Sequence, residues 1–121
     1  MNTPYPPIPY SPIRKAGTYI FISGQIGIEP KTKELVSNDI ELQCKQALIN
    51  LKTLLQKENL PLSSVFKTTV FLTSMSHYSV MNKVYRTFFT EPFPARSAVA
   101  VKELPKGALI EIEAIACKIE A

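Results

Sequence analysis

Two stretches of the chain have apolar residues at the three- and four-residue spacing of amphipathic helices. The first follows Asn38, a residue type favoured at helix N-caps, and Asp39 and Glu41 in its first turn suit the helix dipole. Its apolar face comprises Cys44, Ala47, Leu48, Leu51, Leu54 and Leu55, and its water-facing side is expected to carry Lys45, Asn50, Lys52 and Lys57. The second helix has Val80, Met81, Val84, Tyr85, Phe88 and Phe89 on one face. Both apolar faces are predicted to pack on a sheet.

Other stretches are rich in β-branched and aromatic residues or alternate between apolar and polar side chains, as strands do. Strands are predicted over residues 18–23, 25–28, 65–73, 96–101 and 109–116. Between the last two, Pro105 and Gly107 stand where a type I turn uses them, so these strands are predicted to form a hairpin. The element order is strand, strand, helix, strand, helix, strand, strand. It predicts an α+β fold, a two-layer sandwich in which two helices cover one face of a mixed sheet.

Arg96 and Glu111 are charged residues within these last two apolar strands. Val99 and Val101 alternate with Arg96 and Ala98, which are therefore predicted to share the opposite face, and apolar residues flank Glu111 in the same way. In a hairpin, Arg96 and Glu111 would lie on the sheet face that the helices leave uncovered, where a cation and an acid/base group converge. On spacing alone, a solvated cross-strand ion pair worth roughly 0–1 kcal/mol is the simpler interpretation.

Length and composition limit the class of protein. A chain of 121 residues is expected to be one domain, 1–121, and so small a domain is expected to need a neighbouring subunit to build a deep pocket. Apolar residues make up 45% and charged residues 20%, and no apolar run approaches the roughly 18 residues of a membrane span. Because the N-terminus lacks the features of a secretory signal, a cytoplasmic location is expected, with no membrane partner.

The charges and the few reactive side chains favour neither nucleic acid nor metal. The net charge is +4, but lysines and arginines are scattered, which is weak evidence for RNA binding. Cys44 and Cys117 have neither metal-ligand spacing nor a disulfide framework and are predicted to be reduced thiols in or near the core. The single histidine, His77, is predicted to be a surface residue at a helix start. No metal site is predicted.

The N-terminal residues 1–12 contain five prolines and are predicted to form an extended arm. Tyr10 lies near the end of this arm. Ser23 ends the first predicted strand, and Gly24 follows it. Glycine there allows a bulge or a close backbone approach. From chemistry alone, Tyr10 could equally pack its ring under the arm, and Ser23 could be an ordinary strand-end serine.

Several short motifs of the sequence resemble those of the Rid family, also called the YjgF or L-PSP endoribonuclease family. They are PARSAVAV, LPKGALIEIEAIA, YIFISGQI, PKTKELV, KTTVFLT and YRTFFTE, in family order over nearly all the chain after Pro9. The resemblance implies a single RidA-like domain with a chorismate-mutase-like fold. It also implies a homotrimer, with the sheets inward and the substrate pockets in the clefts between subunits.

The resemblance implies hydrolysis of reactive enamines and imines, such as 2-aminoacrylate, to 2-keto acids and ammonia without a cofactor. This is the activity of a 2-iminobutanoate/2-iminopropanoate deaminase. In it, Arg96 would hold the substrate carboxylate and Glu111 would activate water. The implied substrate-binding residues are Tyr10, Ser23, Gly24, Asn82 and Ala98, with Asn82 presented to a neighbouring subunit's pocket. A solvated asparagine on a helix face is the simpler interpretation of Asn82.

The sequence departs from the family pattern in places. Ile8 stands where the family usually has glycine, and Lys33 stands where many relatives have glycine. Ala98 replaces a cysteine found in some relatives, so a thiol contribution is lost while the backbone contacts remain. Activity is therefore expected to survive.

Two other functions remain open at this point. The first is an endoribonuclease or translation inhibitor, for which the scattered basic residues give little support. The second is a ligand-sensing or chaperone-like trimer that keeps Arg96 without turnover. Glu111 discriminates between this second function and an enzyme, because a protein that only binds would need the arginine alone.

Overall fold

The computed structural model describes residues 8–118. In them, two helices lie on one face of a five-stranded sheet. The strands are β1 (Ile13–Ala16), β2 (Tyr19–Gln25), β3 (Val65–Leu72), β4 (Ala95–Ala100) and β5 (Ile110–Cys117). The helices are α1 (Ile40–Lys57) and α2 (Tyr78–Phe88). The sheet order is β1-β2-β5-β3-β4, with β3 and β4 parallel and the other pairs antiparallel. The predicted α+β sandwich of two layers is confirmed.

The N-cap of helix α1 lies one residue later than predicted. Asp39, rather than Asn38, is the N-cap, and its carboxylate accepts a hydrogen bond of 3.0 Å from the Leu42 amide. An N-cap acceptor satisfies one of the free amides of the first turn. The predicted apolar face is largely confirmed, since Cys44, Ala47, Leu48, Leu51 and Leu55 are fully buried.

The hydrophobic core lies between the helices and one face of the sheet. Its strand residues alternate with less buried neighbours, and they are Ile20, Ile22, Val70, Leu72, Ile110, Ile112, Ala114 and Ala116. The other face carries exposed apolar side chains, among them Tyr19, Phe21 and Val99. Neither helix in the described part of the chain is both long and apolar enough to cross a bilayer.

The first two strands differ from the prediction. Residues 13–16, for which no element was predicted, form β1, and β2 continues through Gly24 to Gln25. The segment predicted as a second strand, residues 25–28, is mostly loop with an isolated bridge from Ile28 to Leu35. β1 is a short edge strand with exposed charges, so it shows little hydrophobic alternation.

The predicted hairpin of β4 and β5 is wrong. A turn forms at residues 105–107, but β3 lies between the two strands in the sheet. β4 pairs in parallel with β3, with α2 as the crossover between them, and β5 enters the middle of the sheet between β2 and β3. Adjacency in sequence therefore did not give adjacency in the sheet.

The predicted faces of Arg96 and Ala98 are also wrong. Arg96 pairs with Thr68, and Ala98 pairs with Val70, and both of these β3 residues are fully buried under the helices. Paired residues project to the same face, so Arg96 and Ala98 face the helix layer. Glu111 alternates with buried isoleucines on β5 and projects to the opposite face. The two charged residues do not converge within one chain.

The cysteines lie where the sequence predicted them. Cys44 is buried and Cys117 is half-buried, and both are free thiols. Burial raises the pKa of Cys44 to about 12, so this thiol stays protonated and behaves as a small apolar side chain. His77 lies in the short turn that leads into α2, also as predicted.

Candidate active site

Glu111 lines a cavity of about 660 Å³ at one end of the sheet. Three of the predicted site residues, Tyr10, Ser23 and Gly24, line the same cavity. They reach it from different segments, because Tyr10 comes from the chain before β1 and the other two come from the end of β2. Four of the seven predicted residues are therefore brought together.

An irregularity in the β2–β5 ladder gives Glu111 its place. The pairing is regular from Tyr19 to Ile22 and shifts before Gln25, so Ser23 and Gly24 lie at the irregularity. A Cβ atom at Gly24 would lie 2.7 Å from Cδ of Glu111 and would overlap its carboxylate. The absent side chain at Gly24 therefore makes the room that the Glu111 carboxylate occupies.

Ser23 joins this site to the chain before β1. Its hydroxyl donates a hydrogen bond of 2.7 Å to the Ser11 carbonyl, and its amide donates one of 3.0 Å to the Pro12 carbonyl. The Ser23 oxygen keeps its lone pairs and can accept a hydrogen bond from water or a ligand. Tyr10 stands nearby with a largely exposed side chain, so its ring and hydroxyl are accessible from the cavity.

The environment of Glu111 disfavours its negative charge. Partial burial raises the pKa of Glu111 above its usual value, and the charge of Glu113 on the same strand raises it further. A carboxyl group with a raised pKa can exchange a proton with substrate nearer to neutral pH. Among the described residues, Glu111 thus has the environment of an acid/base group.

Arg96 and Asn82 line a second cavity, of about 470 Å³, that does not include Glu111. Arg96 Nη2 donates a hydrogen bond of 3.1 Å to the Tyr78 hydroxyl. The guanidinium carbon lies 4.9 Å from the ring centroid of Tyr85, within the range of a cation–π interaction. The Tyr85 hydroxyl is in turn hydrogen-bonded to Thr68 at 2.8 Å in the core. Helix α2 therefore fixes Arg96 in position.

Ala98 lines neither of these two cavities, and its side chain packs against the core. The structure thus divides the seven predicted residues into three groups. One group surrounds Glu111, a second pair consists of Arg96 and Asn82, and Ala98 stands alone.

Asn50 was missed as a site residue and was wrongly expected to face water. It lines the Glu111 cavity, and its amide nitrogen donates to the carbonyls of Ile26 and Ile28, at 3.1 Å and 2.9 Å. Asparagine is unfavourable inside a helix. Its presence within the helical pattern could therefore have indicated that the Asn50 side chain has a specific hydrogen-bond partner. Ile26 and Ile28, which line the same cavity, gave no such signal.

Comparison with known proteins agrees with this fold. The profile of the family described as Endoribonuclease L-PSP matches residues 1–118. A RutC family protein of Pyrococcus horikoshii is 50% identical over 117 residues, which cover 97% of this chain and 93% of the relative. The human 2-iminobutanoate/2-iminopropanoate deaminase is 42% identical over 108 residues, covering 89% and 79% of the two chains.

A solved structure shows the same similarity in three dimensions. RidA from an Antarctic Psychrobacter species matches with a TM-score of 0.88 and 38% sequence identity, covering 94% of this chain and 92% of that one. The profile match, the relatives and the shared architecture agree in one assignment. The chain belongs to the Rid family, the family also described as Endoribonuclease L-PSP.

Proposed function

We propose that this protein hydrolyses reactive imines of 2-amino acids, and their enamine tautomers such as 2-aminoacrylate, to 2-keto acids and ammonia. The observation that carries the proposal is the Glu111 carboxyl group. It is partly buried over Gly24, has a raised pKa and shares a cavity with the hydroxyls of Tyr10 and Ser23. Relatives about 40% identical that are named deaminases support the same chemistry.

The reaction needs proton transfers at defined atoms. An enamine first takes a proton at C3 and becomes an iminium ion. Water then adds to C2, a C–O bond forms, and the π electrons of the C=N bond move to nitrogen. When the resulting carbinolamine collapses, the C–N bond breaks, and the products are a 2-keto acid and ammonia. Glu111 would accept the proton from the attacking water and return one to the departing nitrogen.

Ser23 and Tyr10 would orient the reactants around Glu111. The Ser23 oxygen can accept a hydrogen bond, and the Tyr10 hydroxyl can donate or accept one. Both act on a substrate whose C2 atom is already electrophilic as an iminium ion. The protein therefore has to supply position and proton transfer, which are effects worth several orders of magnitude in rate.

The substrate carboxylate would be held by Arg96 from another copy of the chain. A guanidinium group matches a carboxylate with two parallel hydrogen bonds, but Arg96 and Glu111 project from opposite faces of one sheet. A cyclic homotrimer would place the Arg96 cavity of one copy against the Glu111 cavity of the next. The uncovered sheet face exposes the apolar side chains of Tyr19, Phe21 and Val99. Such an assembly would bury them, and their exposure supports it.

The test is release of keto acid and ammonia from 2-aminoacrylate generated in place by a dehydratase. The expected result is that the wild type accelerates release, and that Glu111→Gln and Arg96→Ala each lose about 100-fold or more. Glu103→Gln, an exposed carboxylate in neither cavity, is the matched control and should retain full activity. A wild type that binds a small carboxylate without accelerating release would overturn the proposal in favour of a ligand sensor.

A further inference from the structure

The cavity that contains Glu111 also has an apolar wall. Its apolar lining residues are Ile8, Ile26, Ile28, Pro30 and Pro105. The proposed chemistry uses Glu111, Ser23 and Tyr10, and it leaves this apolar wall without a role.

The central part of the wall, Ile26 to Ile28, is attached to helix α1. The Asn50 amide nitrogen donates to the carbonyls of both isoleucines, and Gln46 donates a hydrogen bond of 2.9 Å to the Asn50 oxygen. A Cβ atom on Gly27 would lie 2.7 Å from the backbone oxygen of Gln43, so the loop packs closely on the helix backbone. This wall is therefore preorganised.

Two polar side chains that line the cavity beside the wall already have hydrogen-bond partners. Both amide hydrogens of Asn50 are used by the two carbonyls, and the Gln25 amide donates a hydrogen bond of 3.0 Å to the Ser23 carbonyl. A polar substrate side chain placed there would give up hydrogen bonds to water without full replacement. An aliphatic side chain would gain burial at the same place.

We propose that Ile26 and Ile28 form the subsite for the substrate side chain, and that this subsite selects imino acids with aliphatic side chains over polar ones of equal shape. The proposal rests on the proposed deaminase function. Leucine and asparagine have side chains of nearly the same shape, so their imines form the matched pair. Lys106 also lines the cavity, and an acidic side chain is therefore the competing occupant.

The experiment uses imines generated by an amino-acid oxidase from alanine, leucine, asparagine and glutamate. Semicarbazide traps free imine, so an active protein lowers the yield of semicarbazone. We expect kcat/KM for the leucine-derived imine to exceed that for the asparagine-derived imine by about tenfold or more. Ile26→Thr and Ile28→Thr should each lower this ratio several-fold, whereas Ile28→Val should retain most of it.

A matched control separates the wall from general effects of a threonine. Ile49 lies on α1 with its side chain partly exposed and lines neither cavity, so Ile49→Thr should leave the ratio unchanged. Asn50→Leu, which removes both carbonyl contacts, should lower the ratio as the wall variants do. Thermal melts of each variant establish that the fold is retained.

The outcomes distinguish this inference from the function on which it rests. Hydrolysis of the alanine-derived imine with equal rates for leucine and asparagine would overturn the subsite and leave the deaminase function intact. A preference for the glutamate-derived imine would also overturn it, and would favour Lys106 as the determinant. If the wild type hydrolyses none of the four imines, the deaminase function itself is wrong.

Discussion

At the scale of single residues, the charge of Glu111 is controlled by its neighbours. Partial burial is the first cause of its raised pKa, and the repulsion from Glu113 is the second. If the ionised carboxylate is the base, kcat/KM falls as pH drops through this pKa. The pH profile of the proposed reaction would therefore report on both causes.

Glu113→Gln should move the acidic limb of this profile to lower pH. Removing a negative charge makes ionisation of Glu111 easier, so its pKa falls and the base stays active in more acidic solution. The measurement is kcat/KM against pH for the wild type, for Glu113→Gln and for Glu103→Gln as the control. A limb that stays in place, or moves to higher pH, would contradict the assigned repulsion.

Tyr78 positions Arg96 through its hydroxyl, so Tyr78→Phe should weaken substrate binding while the ring stays in place. The lost hydrogen bond of 3.1 Å is to a charged group, but it is partly exposed to solvent. A threefold to tenfold rise in KM is expected, because this corresponds to about the energy of one hydrogen bond to a charged group, weakened by solvent. If Arg96 holds the substrate carboxylate equally in the ground and transition states, the change in kcat should be smaller than the change in KM.

The comparison variant is Tyr78→Leu, which removes the ring near the guanidinium as well. Its KM should rise further than that of Tyr78→Phe. Wild-type kinetics for the phenylalanine variant would show that the hydroxyl has no positioning role. Reduced activity caused by a poor fold would appear as a lower melting temperature in both variants.

At the scale of elements, helix α1 holds the segments that border the site. Gln43 is almost fully buried, and its side chain donates to the Ser37 carbonyl at 2.7 Å and accepts from the Leu109 amide at 2.8 Å. One side chain thus joins α1 to the loop before it and to the residue just before β5. This second contact lies two residues before Glu111 along the chain.

Gln43→Leu should destabilise the protein by about 2–4 kcal/mol, because two part-buried backbone groups lose their partners. Each loss costs roughly 1–2 kcal/mol, the lower part of the range for an unsatisfied buried group. The measurement is the free energy of unfolding from urea titration. Gln56→Leu, on the exposed side of the same helix, should change it by less than about 0.5 kcal/mol. Equal effects of the two substitutions would show that the buried contacts contribute little.

Elements with a strong local pattern were predictable from the sequence. The periodicity of α1, the apolar content of β3 and the alternation of β5 each depend on nearby residues, and the predicted spans agree with the structure within a few residues. The order of strands was not predictable in this way. The position of β3 between β4 and β5 depends on parallel pairing with β4, a long-range contact that no local spacing encodes.

The site was predictable to a similar degree. The grouping of Tyr10, Ser23 and Gly24 with Glu111 follows from family motifs, and the glycine was correctly expected to allow a close approach. The face of Arg96 was predicted wrongly because it depends on pairing with Thr68. The contacts of Asn50 were not predicted, because its partners are carbonyls far away in sequence.

At the scale of the whole molecule, the separation of Arg96 from Glu111 makes a test of shared sites possible. If each site takes Arg96 from one copy and Glu111 from another, co-expressed Arg96→Ala and Glu111→Gln chains should form some intact sites. In randomly mixed cyclic trimers, about one quarter of the sites would contain both wild-type residues. The expected activity of the mixture is thus about a quarter of the wild-type rate.

The measurement is keto acid release by the co-purified mixed assembly, with each variant expressed alone as the control. A mixture as inactive as its components would show that both residues act within one chain, or that the copies do not share sites. Sizing of the same sample by light scattering establishes whether trimers are present.

The contact between Gly24 and Glu111 also has a consequence for how these sequences can vary. The two positions are far apart along the chain but compete for one small volume. A larger residue at position 24 can be accommodated only if the acid at position 111 is shortened, displaced or lost. Among homologous sequences, we therefore expect the two positions to covary, with glycine at the first wherever glutamate is kept at the second.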